Sequence, residues 1–138
     1  MKSLLIAFTM LASVFTASAT DGKVSRPVEK AFQQNFAKAE NLRWTESAEM
    51  VKASFEKDQQ NYAAFFNHQG ELVAVAHFIS MAQLSEALQS DLKSKTNGTN
   101  IIELFELTEN GDTKFYATLD NGKKQQVLVA VKNKWHRF

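Results

Sequence analysis

The chain contains no cysteine among its 138 residues. This absence excludes disulfides, thiol nucleophiles, haem attachment and cysteine-ligated zinc. Proline occurs once and glycine five times, so the glycine-rich loops that hold phosphate groups have little from which to form. No Gly-x-Ser-x-Gly motif occurs either. We therefore expect a protein that is not an enzyme, with no catalytic residues and no cofactor.

An excess of charge of one sign is also lacking. Lys and Arg number 16 against 15 Asp and Glu, and Lys2 is the one basic residue among the first 19. No cluster of basic residues interleaved with aromatic ones is present, which argues against a nucleic-acid partner.

One long apolar run is present, at residues 4–15. It follows Lys2 and precedes a small-residue stretch at residues 17–19, which is the pattern of a cleaved signal peptide. Residues 1–19 are therefore predicted to be a signal peptide, and residues 20–138 a single domain that is periplasmic or secreted. The run is too short to span a bilayer as a mature helix, so no membrane insertion is expected after cleavage. A buried N-terminal helix is the alternative.

Two helices are predicted from apolar residues that recur with helical spacing. Val28, Phe32 and Phe36 predict a helix over residues 25–39. Leu84, Leu88 and Leu92 predict a second helix over residues 81–95. Ser80 and Gln83 form a capping-box pattern at its start. Each helix has one apolar face, which requires a partner surface.

Strands are predicted where the period changes to two. Residues 50–57 and 114–120 alternate apolar and polar side chains, which is typical of half-buried antiparallel strands. Residues 71–79 are apolar on both faces and predict a central, covered strand. The pairs Asn110-Gly111 and Asn121-Gly122 are strong hairpin signals, since both residues tolerate positive φ.

The predicted order is helix, about four strands, helix, about four strands. The fold class is therefore α+β, with tandem helix-plus-four-strand repeats at about residues 25–79 and 80–138 and an antiparallel sheet packed against two helices. One eight-stranded sheet and two four-stranded sheets both fit this order.

Histidine raises the question of a reactive site, since His68 lies in the stretch Asn67-His68-Gln69-Gly70. His77 and His136 are the other two histidines, and no pair has the spacing of metal ligands. No metal site is expected. The Asn67–Gly70 stretch is fully explained as a hairpin turn.

Aromatic side chains on the predicted strands are the remaining candidates for function. Trp and Tyr dominate binding hot spots, and an exposed aromatic sheet face would mark a partner site. The candidate partner-binding residues are Trp44, Tyr62, Phe66, Tyr116 and Trp135. The alternative is that one sheet face packs under the helices and the other closes a second layer.

The sequence also resembles a known family. Ala39-x-Asn41-x-x-Trp44, Val51-x-Ala53-x-Phe55 and Ala64-x-Phe66-Asn67-x-x-Gly70-Glu71-Leu72 are similar to the PepSY-like, β-lactamase-inhibitor-like group of small exported bacterial proteins. Phe115-Tyr116-x-Thr118-Leu119 and Gly122-Lys123-Lys124 fit the same pattern. Leu84-Ser85 and Asn133 depart from it, in a cap and a turn. The resemblance implies repeats of one helix and four strands, a periplasmic or extracellular location and no enzymatic activity.

Together these observations predict an exported, non-enzymatic binding module, inhibitor-like towards a peptidase or another hydrolase, that acts through an aromatic sheet face. The expected partner is a protein of the cell envelope. A periplasmic carrier or sensor of a small apolar ligand is the alternative.

Overall fold

The computed structural model describes residues 23–138, so the predicted signal peptide at residues 1–19 lies outside the described residues. The described elements are, in order, α1 (Arg26–Asn35), β1 (Glu40–Glu46), β2 (Val51–Lys57), β3 (Gln60–Phe66), β4 (Leu72–Phe78), a 3₁₀ turn (Met81–Gln83), α2 (Glu86–Lys95), β5 (Asn100–Glu109), β6 (Asp112–Asp120), β7 (Gln125–Val131) and β8 (Lys134–Arg137). The strands form one antiparallel sheet in chain order. The predicted α+β class and element order are confirmed, and the alternative of two separate sheets is not.

The chain divides into two compact units between Ala76 and His77, three residues before the predicted repeat boundary. In each unit a helix is followed by a strand that carries a β-bulge, near Glu40 after α1 and near Ile101 after α2. The internal duplication suggested by the sequence stays a prediction.

The core of the N-terminal unit lies between α1 and strands β1–β3. Val28 and Phe32 are the buried residues of α1, and the strand residues facing them are Val51, Ala53, Phe55, Ala64 and Phe66. Burying an apolar side chain of this size contributes about 1.5–3 kcal/mol. The apolar stripe seen in the sequence is thus the packed face of the helix.

The second predicted helix is divided in the structure. Residues 81–83 form a 3₁₀ turn, which the Ser80–Gln83 capping box closes, and α2 begins only at Glu86. Ser85 is the N-cap of α2 and its Oγ accepts a hydrogen bond from the Leu88 amide at 3.3 Å. The single helix expected over residues 81–95 is therefore wrong at its start, because Ser80 and Ser85 each offer a cap.

The C-terminal unit has its own core. Leu84, Leu88 and Leu92 pack against Leu104, Ala117, Leu119, Leu128 and Trp135. All three leucines of the predicted stripe are buried, although Leu84 precedes α2. The stripe is continuous in space even though the helix is not.

The two Asn-Gly signals have different outcomes. Asn110 and Gly111 both have positive φ, at 51° and 83°, as a two-residue hairpin turn requires. At Asn121-Gly122 only Gly122 has positive φ, and Asn121 Oδ1 instead accepts the amides of Lys123 and Lys124 at 2.9 and 2.8 Å. The second hairpin is present but its turn is wider, because the Asn side chain organises it.

Gly70 lies where the β3–β4 turn meets the start of α1. Its φ is +89°, and a Cβ at this position would lie 2.6 Å from the Pro27 carbonyl oxygen. The glycine of the turn is thus required both by its conformation and by the close approach of another backbone segment.

Gly70→Ala is therefore expected to lower the free energy of unfolding by at least about 2 kcal/mol, because it adds a backbone clash to the strain of positive φ. Gly111→Ala is the matched control: its φ is +83° but nothing lies within 4 Å of the added Cβ. Urea denaturation of both variants separates the two costs. Equal destabilisation would show that Pro27 moves aside freely.

Candidate functional site

The structure places the five candidate aromatic residues in two different environments. Phe66, Tyr116 and Trp135 are buried, at 0%, 6% and 2% exposure. Trp44 and Tyr62 are half-buried and lie at the margin of the N-terminal core. The expectation of one exposed aromatic face containing all five residues is therefore wrong, because Phe66 and Trp135 are needed to fill the space beneath the helices.

Trp44 and Tyr62 are held in place by the rings behind them. Trp44 meets Phe32 edge to face, with centroids 5.2 Å apart, and Tyr62 stacks on Phe55 at 5.7 Å. Such ring pairs add about 0.5–1.5 kcal/mol beyond burial. We call Trp44 and Tyr62 the aromatic rim, since each is fixed on its inner side and partly open on its outer side.

A second aromatic row occupies the opposite sheet face of the C-terminal unit. Phe105 contacts Phe78 and Tyr116, and Tyr116 contacts Phe138, with centroids 5.5–5.9 Å apart. Burial, and then the charge of Glu109, raise the pKa of Tyr116 above its usual value of 10.0. At neutral pH this phenol is a neutral member of an apolar row.

Strand β1 is one edge of the described sheet. Residues 40–43 are exposed, and Leu42 exposes 38% of its surface. The bulge between Glu40 and Arg43 interrupts the pairing with β2, and Asn41 has a φ of 53°. The regular part of this edge is therefore short, from Arg43 to Glu46.

Strand β8 is the other edge, and a side chain from α2 closes it. Asp91 Oδ2 accepts a hydrogen bond from the Trp135 amide at 2.7 Å, and the Trp135 indole Nε1–H donates to the Leu88 carbonyl at 3.0 Å. Lys95 Nζ lies 3.2 Å from Asp91 Oδ2. An edge donor covered by a helix carboxylate cannot pair with another strand.

The amide of Trp135, and secondarily the charge and hydrogen bond of Lys95, lower the pKa of Asp91 below its usual 3.8. A carboxyl group whose pKa is lowered by folding stabilises the protein above its unfolded pKa, and this contribution is lost as the pH falls through the folded pKa. Asp91 therefore contributes to acid unfolding from about pH 5 downwards.

We expect wild type to lose more of its unfolding free energy than Asp91→Asn between pH 7 and pH 2.5, because the variant has no carboxylate to protonate. The Asn oxygen still accepts the Trp135 amide, so Asp91→Ala at pH 7 serves to measure the hydrogen bond itself. Thermal unfolding followed by circular dichroism at a series of pH values tests this. Parallel curves for wild type and Asp91→Asn would contradict it.

His68 lies in a turn, as predicted, and joins that turn to the end of β1. Its Nε2 is 3.2 Å from the Ser47 carbonyl oxygen and its Nδ1 is 3.3 Å from Glu46 Oε1. Asn67 Oδ1 shapes the turn by accepting the amides of Gln69 and Glu71 at 3.1 and 2.9 Å. His68 thus connects two turns at the same end of the N-terminal unit.

His77 also faces a carboxylate. Its Nδ1 is 2.9 Å from Glu106 Oε1, and the two side chains are 17% and 35% exposed. The two residues lie on β4 and β5, where the Ile79 amide donates to the Leu104 carbonyl at 3.0 Å. Among residues 23–138 no group of three His, Cys, Asp or Glu side chains could hold a metal ion, so the pair is a cross-strand contact of the sheet.

A cleft of about 590 Å³ lies between the end of α1 and the β2–β3 hairpin of the N-terminal unit. Its lining residues are Ala37, Lys38, Ala39, Glu40, Glu56, Asp58 and Gln59. Asn41 Nδ2 donates a hydrogen bond to Glu56 Oε2 at 3.0 Å. With three carboxylates and an ammonium group in its wall, this cleft does not suit an apolar ligand.

No helix in the described part of the chain combines the length and apolar character needed to cross a bilayer.

The site residues that sequence reasoning missed are Arg43 and Glu46 beside Trp44, and Asp91 beside Trp135. Charged residues on both sides of Trp44 were a visible signal of an exposed strand in the first case. No local signal existed in the second, because Asp91 and Trp135 are 44 residues apart.

The sequence matches no family model and no curated protein. Solved structures show the same fold. A BLIP-like protein from Bacteroides fragilis is 16% identical with a TM-score of 0.64, over 84% of both chains. A DUF2874 family protein from Bacteroides ovatus is 13% identical with a TM-score of 0.68, over 83% of this chain and 88% of that one.

A third structure, of a Bacteroides eggerthii protein described as "putative periplasmic", is 10% identical with a TM-score of 0.72, over 85% and 89% of the two chains. Identities this low show the fold alone. The β-lactamase-inhibitor-like fold implied by the sequence resemblance is confirmed, while PepSY membership stays a prediction.

Proposed function

We propose that this protein is an exported, non-enzymatic binding module of the PepSY-like and β-lactamase-inhibitor-like type, and that its aromatic rim contacts a protein of the cell envelope. The observation that carries the proposal is the geometry of Trp44 and Tyr62. Both rings are braced by core phenylalanines and both remain partly open. Rigid Trp and Tyr side chains give binding energy at low entropic cost.

Export and an inhibitory role have separate support. The apolar run followed by small residues has the form of a cleaved leader, and one protein of the same fold is described as "putative periplasmic". Another is called BLIP-like, which agrees with the sequence resemblance. A periplasmic or secreted hydrolase is therefore the class of partner to test first.

The absence of enzymatic activity is part of the proposal. His68 and His77 each face one carboxylate, but the chain has no cysteine and no nucleophile motif to complete a catalytic group. A hydrolytic activity that is lost in His77→Ala but retained in Trp44→Leu would contradict this part.

Affinity capture of envelope proteins by the purified protein tests the binding function. We expect Trp44→Leu and Tyr62→Leu each to capture about tenfold less of the partner than wild type does. A change of this size is typical of a binding hot spot. Phe138→Ala is the matched control, since Phe138 is 47% exposed but lies in the other unit. Melting temperatures of all three variants confirm that each is folded. Equal capture by all variants would overturn the role of the rim.

A further inference from the structure

The hydrogen-bonding direction of β1 follows from its turn. The Ser47 amide donates to the Met50 carbonyl at 2.9 Å, so Ser47 and Met50 form a hydrogen-bonded pair. In an antiparallel ladder such pairs recur at every second residue, so Thr45 pairs in this way with Lys52, and Arg43 with Ser54. The backbone amides and carbonyls of Trp44 and Glu46 therefore point away from β2, to the outer edge.

The two edges of the sheet differ in whether side chains bind the outward backbone groups. At β8 the outward amide of Trp135 is bound by Asp91. At β1, no side chain of residues 23–138 accepts a hydrogen bond from the outward amides of Trp44 and Glu46. Alternating amides and carbonyls on a strand edge match one kind of ligand, which is another extended main chain.

We propose that the edge of β1 from Arg43 to Glu46 binds a short extended segment of a partner protein as an antiparallel strand. This inference rests on the proposed binding function and names its mode. The bulge at Glu40 and Arg43 ends the regular edge, so about four residues can pair. A contact this small is below what a stable dimer of two copies buries, and it fits a peptide segment.

The side chains of β1 specify the chemistry of that segment. Trp44 and Glu46 lie on the face that carries α1, and Arg43 lies on the opposite face. Arg43 has no acidic partner among residues 23–138. In antiparallel order, a basic residue would face Glu46, an apolar residue would face Trp44 and an acidic residue would face Arg43.

Amide hydrogen exchange of the free protein checks the edge geometry. The amides of Arg43 and Thr45 are expected to be protected and those of Trp44 and Glu46 to exchange at least about tenfold faster, because only the first pair is bonded to β2. Equal protection of all four amides would show that the edge is already covered, and would overturn the proposal.

The binding probe is the peptide acetyl-Thr-Lys-Thr-Val-Asp-Thr-amide, in which Lys faces Glu46, Val faces Trp44 and Asp faces Arg43. We expect it to shift the Trp44 and Glu46 amide resonances saturably in NMR titration. A peptide with Lys and Asp exchanged is the control for register. This peptide is expected to bind wild type more weakly than the probe does, because it places Asp opposite Glu46 and Lys opposite Arg43. It is expected to bind Arg43→Glu more strongly than it binds wild type, because its Lys then faces an acidic residue. No saturable shift at β1, or equal binding of both peptides, would overturn the proposal.

A backbone variant tests the hydrogen bonds themselves. Glu46→Pro removes an outward amide without touching the ladder to β2, a position where proline is tolerated on an edge strand. It is expected to weaken probe binding about three- to tenfold, the effect of one hydrogen bond. Glu46→Ala keeps the amide and controls for the carboxylate and its contact with His68. If Glu46→Pro does not fold, the probe N-methylated at Val removes a hydrogen bond on the peptide side instead, the one from the Val amide to the outward carbonyl of Trp44. It is expected to weaken binding by the same factor.

The two proposals fail separately. If Trp44→Leu abolishes partner capture while the probe does not bind β1, the binding module stands and the strand-addition mode is wrong. If the probe binds β1 and no envelope protein is captured, the edge site stands and the proposed function is wrong.

Discussion

Phe32→Ala is expected to lower the free energy of unfolding by about 3–5 kcal/mol, the range for removing a buried phenylalanine. Phe32 is 4% exposed and lies at the centre of the N-terminal core. Its ring contacts four others, those of Phe36, Trp44, Phe55 and Phe66, with centroids 5.1–6.4 Å apart. A cavity at this position removes support from every ring around it.

Urea denaturation measures this loss, as a lower midpoint with an unchanged m-value. Phe138→Ala is the control, because Phe138 is 47% exposed and its truncation should cost less than about 1 kcal/mol. Because Phe32 also braces Trp44, the variant should shift Trp44 fluorescence towards that of a solvent-exposed indole. A loss below about 1 kcal/mol would mean that α1 can refill the space, and that the rim does not depend on this ring.

Trp135→Ala is the second large effect, again about 3–5 kcal/mol. Trp135 is 2% exposed although it is close to the end of the chain, where fraying is the usual expectation. Its ring fills the core beneath α2. Its indole Nε1–H donates to the Leu88 carbonyl, and its backbone amide donates to Asp91 Oδ2. Removing the ring therefore leaves the backbone hydrogen bond to Asp91 but removes the indole packing and the hydrogen bond to Leu88 that hold β8 against the helix.

Trp135→Phe separates the ring from the hydrogen bond. It keeps most of the apolar volume and loses the donor to the Leu88 carbonyl, so we expect a cost of about 1–2 kcal/mol. Thermal unfolding of both variants, with Trp44 as the remaining fluorophore, gives the comparison. If Trp135→Ala is no worse than Trp135→Phe, then β8 is not held by the packing of the indole.

Local patterns in the sequence predicted the elements well where one physical requirement dominated. The stripe of α1 places Val28 and Phe32 in the core because a helix with one apolar face must cover it. The alternation in β2 places Val51, Ala53 and Phe55 on one side of the sheet for the same reason. Two requirements competed at residues 80–85, where two serines could each cap a helix, and the start of α2 was misplaced.

The candidate site was less predictable. An aromatic residue on a strand fits a core and a binding surface equally well, so sequence reasoning grouped buried Phe66 and Trp135 with half-buried Trp44 and Tyr62. Exposure depends on which strand lies at an edge and which side chain covers it. These are contacts between residues far apart in the chain, such as Asp91 with Trp135.

What the sequence determined by itself was the alternation of helices and strands, the absence of thiol chemistry and the presence of turns at Gly70 and Gly111, because each depends on neighbouring residues alone. Only the tertiary structure decided that β8 is closed by Asp91 while the amides of Trp44 and Glu46 face outward. Hydrogen-bond direction and edge position arise from the pairing of strands, and no short stretch of sequence contains them.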